Sequence, residues 1–162
     1  MRPLYIFDLD GTLALTEHRQ HILDNKDDQQ RWQKFFAACV DDHPNLPVIQ
    51  TLKTLRRAGA EIWIWSGRGM EVAAETEEWL YKHGCLSTTM FLHWDPFRPF
   101  EAFRMRPVGD YTPDEKLKFG WLADMEPPER NRLTAIFDDR EKVVKMWREA
   151  GVPCFQVAQG KF

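Results

Sequence analysis

Five short apolar runs punctuate the chain: Leu4–Leu9, Glu61–Trp65, Thr89–Leu92, Leu133–Phe137 and Cys154–Val157. Several are rich in aromatic or β-branched side chains and all are set off by turn signals, a pattern that predicts strands. The stretches between them carry helix signals. Pro47 to Ala58 has proline at its first position and stops at Gly59, Glu71 to His83 stops at Gly84, and Arg140 to Ala150 stops at Gly151. The sequence "TPDE" from Thr112 has the form of a capping box with proline at N1, so a further helix is predicted from there to about Asp124. Strands separated by such helices predict an α/β, Rossmann-like fold of three layers, with a central parallel sheet of about five strands and right-handed crossovers. Ligands bind such a sheet beyond the carboxyl ends of its strands, so the chemistry should sit just after the apolar runs.

Two segments depart from the alternation. Residues 16–45 are polar but carry Trp32, Phe35 and Phe36 at helical spacing, which predicts a small helical cap inserted after the first strand. Residues 93–106, "HWDPFRPFEAFRMR", are broken by proline and show no period, which predicts a loop near the site. At 162 residues and 43% hydrophobic, the chain is expected to form one domain over 1–162, and 13% aromatic residues predict an aromatic core.

Charge and cysteines narrow the function classes. A net charge of −3 argues against coating of long nucleic acid and fits a small substrate or a frayed end better. Cys39, Cys85 and Cys154 are odd in number and form no C-x-x-C, so buried reduced thiols are expected in place of disulfides or zinc ligands. No apolar run approaches the roughly 20 residues of a membrane span, and the N-terminal pattern is not that of a signal peptide. The expectation is a cytoplasmic protein, in the host cytoplasm if phage-encoded, with no membrane and no obligate protein partner.

The candidate chemistry lies where the fold demands it. In "YIFDLDGTLA", Asp8 and Asp10 point the same way beyond the first strand, and two carboxylates so placed repel unless a hard divalent cation, Mg2+ above all, neutralises them. A solvated turn is the alternative for that motif alone; an EF-hand is excluded, because its glycine would fall where Leu13 stands. The second run ends in "WIWSGR", where Ser66, Gly67 and Arg68 lead into a helix as an anion site would, or as an ordinary turn. The fourth ends in "IFDDR", which aims Asp138 and Asp139 where Asp8 and Asp10 already point.

With "DLDGT", "WIWSGR", a lysine in the helix after Asp110 and "IFDDR" in order, the chain resembles the haloacid dehalogenase (HAD) superfamily of phosphohydrolases. From Ile136 to the end it further resembles the 3'-phosphatase domains of bacteriophage polynucleotide kinase/phosphatases, through D-D-R, V-V-x-M-W-R, G-V-x-C and Q-V-A-x-G. Arg19, eleven residues after Asp8, and the R-x-x-G-D of Arg106, Gly109 and Asp110 match the same family. Residues 16–45 and 93–103 show little resemblance, and no kinase P-loop is present.

The resemblance implies a HAD-like fold and a Mg2+-dependent phosphomonoesterase acting through an aspartyl-phosphate. Asp8 would be the nucleophile and a metal ligand, and Asp10 the acid and base, with its backbone carbonyl on the metal. Asp139 would ligate directly and Asp138 through water or by orienting the site. Thr12, Ser66 and Gly67 would hold phosphoryl oxygens, and Lys118, which aligns better than Lys116, would offset transition-state charge. Arg19, Arg68 and Arg106 would contact phosphates or form salt bridges, while Asp110 and Asp114 would orient Lys118 or cap its helix.

The substrate implied is a 3'-phosphate on a DNA or RNA end, or on a nucleotide. Trp94, Phe97, Phe100 and Phe103, beside Arg98, Arg104 and Arg106, would then stack a base or pack onto the core. A 5'-nucleotidase and a catalytically idle binding module are the alternatives.

Overall fold

The computed structural model describes residues 1–86 and 102–160. In it β1 (Leu4–Phe7) lies at the centre of a parallel sheet of order β5-β4-β1-β6-β7, with β4 (Glu61–Gly69) and β5 (Phe103–Arg106) on one side. On the other side run β6 (Leu133–Arg140) and β7 (Cys154–Gly160). The chain winds from β1 to β4 and β5 on one side and then returns to β6 and β7 on the other, and this reversal of direction opens a crevice beyond the carboxyl end of β1.

Both faces of this sheet are covered, and the strand periodicity sorts the side chains between them. Phe7, Ile62 and Ile64 pack with Ile49 and Leu52 of α3 (Leu46–Arg57) and with Trp79 and Leu80 of α4 (Ala73–Lys82). Leu4, Ile6, Trp63, Trp65 and Ile136 pack on the other face with Trp121 of α5 (Asp114–Ala123) and with Val143, Val144 and Trp147 of α7 (Glu141–Glu149). The core is thus aromatic, with the Trp65 ring 5.8 Å from Trp121 and 6.1 Å from Trp147. Each such buried side chain contributes on the order of 2 kcal/mol. Helix α3 ends where the sequence signals it, at Gly59 with φ +90°, a conformation that side chains with a Cβ rarely adopt.

After β1 the chain detours through residues 16–45. The strands β2 (Ala14–Leu15) and β3 (His43–Pro44) pair antiparallel at the base of this insertion and bring its two ends together. Above them stand α1 (Glu17–Asp24), α2 (Arg31–Ala37) and a 3₁₀ turn at Ala38–Asp41. Trp32, Phe35 and Phe36 form one aromatic cluster, with ring centroids 5.8–5.9 Å apart.

The structure corrects three local expectations. Residues 93–106 are not loop throughout, because Phe103–Arg106 form edge strand β5, in which Phe103 and Met105 are buried while Arg104 and Arg106 are half-buried. The predicted strand Thr89–Leu92, and Trp94, Phe97, Arg98 and Phe100, lie outside the described residues. The capping box at Thr112 does not form: α5 starts at Asp114 without a side-chain cap. The Thr112 amide instead donates to Asp110 Oδ1 at 2.7 Å, and its carbonyl accepts from Arg106 at 2.6 Å. A short helix absent from the sequence-based expectation, α6 (Pro127–Arg132), leads into β6. The three cysteines are buried and free.

Candidate active site

Strand register builds the site. Phe7 lies opposite Phe137, their rings stacked 4.3 Å apart, and the Asp8 amide donates to the Phe137 carbonyl at 2.9 Å. The residues that follow, Asp8 and Asp138, therefore emerge side by side. Oxygens of Asp8, Asp138 and Asp139 lie within 4.8 Å of one another, and all three residues are buried. Lys118, reaching up from α5, places Nζ 2.7 Å from Asp8 and 2.9 Å from Asp138. Lys116 is exposed.

The remaining groups around this cluster are donors. Thr12 donates to Asp139 Oδ1 at 3.2 Å. Asp138 accepts from the Arg140 amide at 3.2 Å and from the indole of Trp147 at 3.3 Å, so a core tryptophan also fixes a site carboxylate. Gly11, at φ +84°, passes so close to Asp139 that a Cβ there would collide with its carboxylate.

Charge balance in this cluster is uneven, with three carboxylates and one ammonium. Burial pushes Asp8 well above the usual carboxylate range; Lys118 pulls it back in part, and the neighbouring Asp138 and Asp139 add to the rise. Burial and Asp138 likewise push Asp139 up to about 6. Burial alone would lower Lys118, but Asp138 and Asp8 more than offset it and hold the ammonium charged. A buried excess of negative charge with hard oxygen donors is the chemistry of a Mg2+ site, so these residues fit that ion.

Asp10 belongs to a second cluster. Its carboxylate is a quarter exposed and accepts from Arg19 at 2.8 Å and from Arg68 in a short contact. The same two guanidiniums grip Asp42, a fully buried carboxylate, with contacts of 2.7 Å from Arg19 and 2.8 Å from Arg68. Burial pushes Asp10 up, but Arg68 and Arg19 overcome it and hold the carboxyl below the usual range. Arg68 in turn is lowered by burial but raised further by Asp10, so it stays charged. Arg19 also donates to the Phe35 carbonyl at 3.1 Å and stacks over the Phe35 ring at 4.0 Å. His18 sits 2.9 Å from Asp42, and the Trp79 indole donates to the Asp42 carbonyl.

Arg106 closes the third side. It donates to the carbonyls of Gly67 at 2.9 Å and Asp110 at 3.2 Å and pairs with Asp114, which Arg140 holds from the other side. Asp114 lies one helical turn before Lys118, so this clamp orients the helix that carries the lysine. Gly67 is close to it, since a Cβ there would lie 2.8 Å from Asp114 Oδ1. Ser66 is fully buried and its Oγ accepts from the Arg68 amide at 3.1 Å.

The structure thus brings Asp8, Thr12, Lys118, Asp138 and Asp139 into one cluster and Asp10, Arg19 and Arg68 into an adjoining one. Arg106 stands at the cavity wall. The reasoning from sequence missed Asp42: it belongs to no motif, and its partners are 23 and 26 residues away. The only trace was the need of two buried arginines for a counter-ion in the insertion. A cavity of about 970 Å3 opens over Asp10 and Arg68, between the insertion and the turn after β5.

The model of a known family, described as the phosphatase domain of polynucleotide kinase PNKP, matches residues 2–162. The chain belongs to that family. A protein of Autographa californica nuclear polyhedrosis virus, provisionally named a bifunctional polynucleotide kinase/RNA ligase, is 29% identical over 147 residues, covering 90% of this chain and 18% of the viral protein. A chain in the structure of the Pnkp1/Rnl/Hen1 RNA repair complex is similar at TM-score 0.73 and 29% identity, over 99% of this chain and 44% of that one. The class C acid phosphatase from Bacillus anthracis shares the fold at TM-score 0.65 and 13% identity, over 99% of this chain and 68% of that one. This PNKP-type phosphatase domain therefore has a HAD-like fold and spans less than half the length of the RNA-repair chain and of the viral protein.

Proposed function

We propose that the chain is a Mg2+-dependent polynucleotide 3'-phosphatase that works through an aspartyl-phosphate on Asp8. The observation that carries this reading is the cluster of three buried carboxylates with one ammonium, set at the end of β1 beside a cavity large enough for a nucleotide. Asp8 and Asp139, with the Asp10 carbonyl, would hold Mg2+, which when bound supplies positive charge against the transferring phosphoryl group. Asp138, already engaged by Lys118, Trp147 and the Arg140 amide, orients the cluster.

An Asp8 oxygen attacks phosphorus, the bond from phosphorus to the 3' oxygen breaks, and Asp10 in its acid form gives its proton to that oxygen. Water then attacks the aspartyl-phosphate, ionised Asp10 takes its proton, and phosphate leaves with Asp8 restored. Lys118, held at Asp8, offsets the charge that grows on the phosphoryl oxygens, and Ser66 donates to them, joined by Thr12 when its hydroxyl turns from Asp139. Arg68 pairs with Asp10 in the resting site. A phosphoryl group that draws Arg68 away removes the main cation keeping Asp10 ionised, and so raises its proton affinity as the leaving group needs a proton.

Residues 16–45 act as a cap over this chemistry. The similar chain in the Pnkp1/Rnl/Hen1 complex has protein partners, so we read this domain as able to work within an assembly, which qualifies the expectation from sequence of no obligate protein partner.

Phosphate release tests the reading, with 3'-phosphorylated oligonucleotides, 3'-nucleotides and 5'-nucleotides as substrates, each with Mg2+ or with chelator. Turnover of the oligonucleotides with Mg2+ and none with chelator is expected. A preference for free 5'-nucleotides, or full activity in chelator, overturns it.

A further inference from the structure

Helix α2 carries a tryptophan with no role in the chemistry above. Trp32 is 42% exposed, although it belongs to an aromatic cluster whose other members are buried or half-buried, and it lines the cavity that opens over Asp10 and Arg68. Its ring is held edge-on by Phe35 at 5.9 Å and tilted against Phe36 at 5.9 Å, so the indole is a fixed plate with one side left to the cavity. Gln29 and Gln33 flank it on the same wall, offering amide donors and acceptors. Arg106 and Arg140, both paired with Asp114, line the cavity as well; Lys142 adds an exposed ammonium, and Glu71, Asp110 and Glu115 share the wall.

Resting on the 3'-phosphatase reading, we infer that Trp32 is the stacking platform for one of the two bases nearest the 3'-phosphate of a single-stranded end. A flat aromatic plate with amides beside it, on a wall that also carries Arg106, Arg140 and Lys142, is the stacking element by which single strands are bound without strict sequence preference. The position is also tied to the reaction. Trp32 rests on Phe35, Phe35 lies 4.0 Å under the Arg19 guanidinium, and Arg19 holds Asp10 at 2.8 Å. A base stacked on Trp32 is therefore joined by a continuous line of contacts to Asp10. The sequence points to the aromatic and arginine-rich stretch 93–106 for this task, most of which lies outside the described residues; the insertion supplies a plate among those that are described.

The test compares KM for a 3'-phosphorylated oligonucleotide, for the same oligonucleotide made abasic at its last or penultimate position, and for p-nitrophenyl phosphate. With the unaltered protein, removing one of those two bases should raise KM about tenfold. Trp32→Ala should raise KM for the intact oligonucleotide by a similar factor, well above its effect on p-nitrophenyl phosphate. It should add nothing further on the sensitive abasic substrate, and Trp32→Phe should retain most of the affinity. Equal KM for intact and both abasic substrates overturns the inference, without recourse to any variant that must fold. Additive losses from Trp32→Ala and base removal at both positions overturn it too. Failure of the unaltered protein to release phosphate from any 3'-phosphorylated end, while it hydrolyses 5'-nucleotides, removes the 3'-phosphatase reading itself.

Discussion

Two carboxylates separated by one residue, Asp8 and Asp10, meet opposite electrostatic fates. Asp8 stands with Asp138 and Asp139 around a single ammonium, and burial raises its proton affinity. Asp10 stands with Asp42 between two guanidiniums, and the match of two against two overcomes burial and lowers its proton affinity. Both lie beyond the same end of the same strand and burial pushes both up, so residue type does not account for the difference; local charge stoichiometry does. The deficient cluster has the charge and donors that fit a cation from solution. The balanced one already contains its cations and serves to fix Asp10 and the insertion.

The sharpest break of this contrast is Asp8→Asn. It should lower phosphate release at least roughly a thousandfold, as loss of a nucleophile does. Because it also removes one charge from a crowded cluster, the metal-free protein should unfold at the same or a higher temperature. Retained turnover would end the nucleophile assignment.

Asp42→Ala should behave in the opposite way. It leaves Arg19 and Arg68 buried with one carboxylate where two had been, and breaking such a set by removing one partner costs about 3–5 kcal/mol. Denaturant unfolding would show this, along with a fall in turnover as Asp10 loses its fixed orientation. Full stability in that variant would refute the balance argument.

The same two clusters show how much of the site was legible beforehand. Asp8, Asp138 and Asp139 each follow an apolar run, and parallel strands must deliver such residues to one edge, so their meeting could be read from spacing, whereas the Asp10 carboxylate, aimed at the same edge, joins Arg19 and Arg68 instead. Asp42 could not be, because its meaning comes from pairing with Arg19 and Arg68 across the insertion, which no local pattern encodes. Strand β5 was legible in part. In "FRMR" the apolar and charged residues alternate with period 2, as a half-buried edge strand requires, but the prolines just before it mask the signal. At Thr112 the motif for a cap was present, yet Asp110 and Arg106 took its amide and carbonyl first.

Magnesium and pH should separate the clusters with a smaller effect. In chelator, Asp139 binds its proton more tightly folded than unfolded. Its contribution is therefore complete below 3.8 and is lost as pH rises to about 6. Asp10, held below the usual range, has the opposite sign: its contribution is present above the unfolded value and is lost as pH falls through the folded one. Mg2+ at a hundred times its Kd should restore about 2.7 kcal/mol above that window. Asp139→Asn should reduce the loss from 3.8 to about 6, leaving the share of Asp8, and should abolish the Mg2+ response, as thermal unfolding across pH would show. A Mg2+ response that survives this variant would place the ion elsewhere.

His18→Gln should have the smallest effect and is the finest test of the balance. His18 touches Asp42 at 2.9 Å but its side chain is 31% exposed, so water can replace it, while the buried Arg19 and Arg68 keep their own contacts to Asp42. A partly exposed partner of this kind contributes roughly 0–1 kcal/mol. Turnover should change only a few-fold, since Asp10 touches the guanidiniums and not the imidazole. If the two guanidiniums suffice to neutralise Asp10 and Asp42, the cost of His18→Gln stays far below that of Asp42→Ala. Equal costs would mean that His18 is a third cation of the cluster, and that the balance of two against two is miscounted.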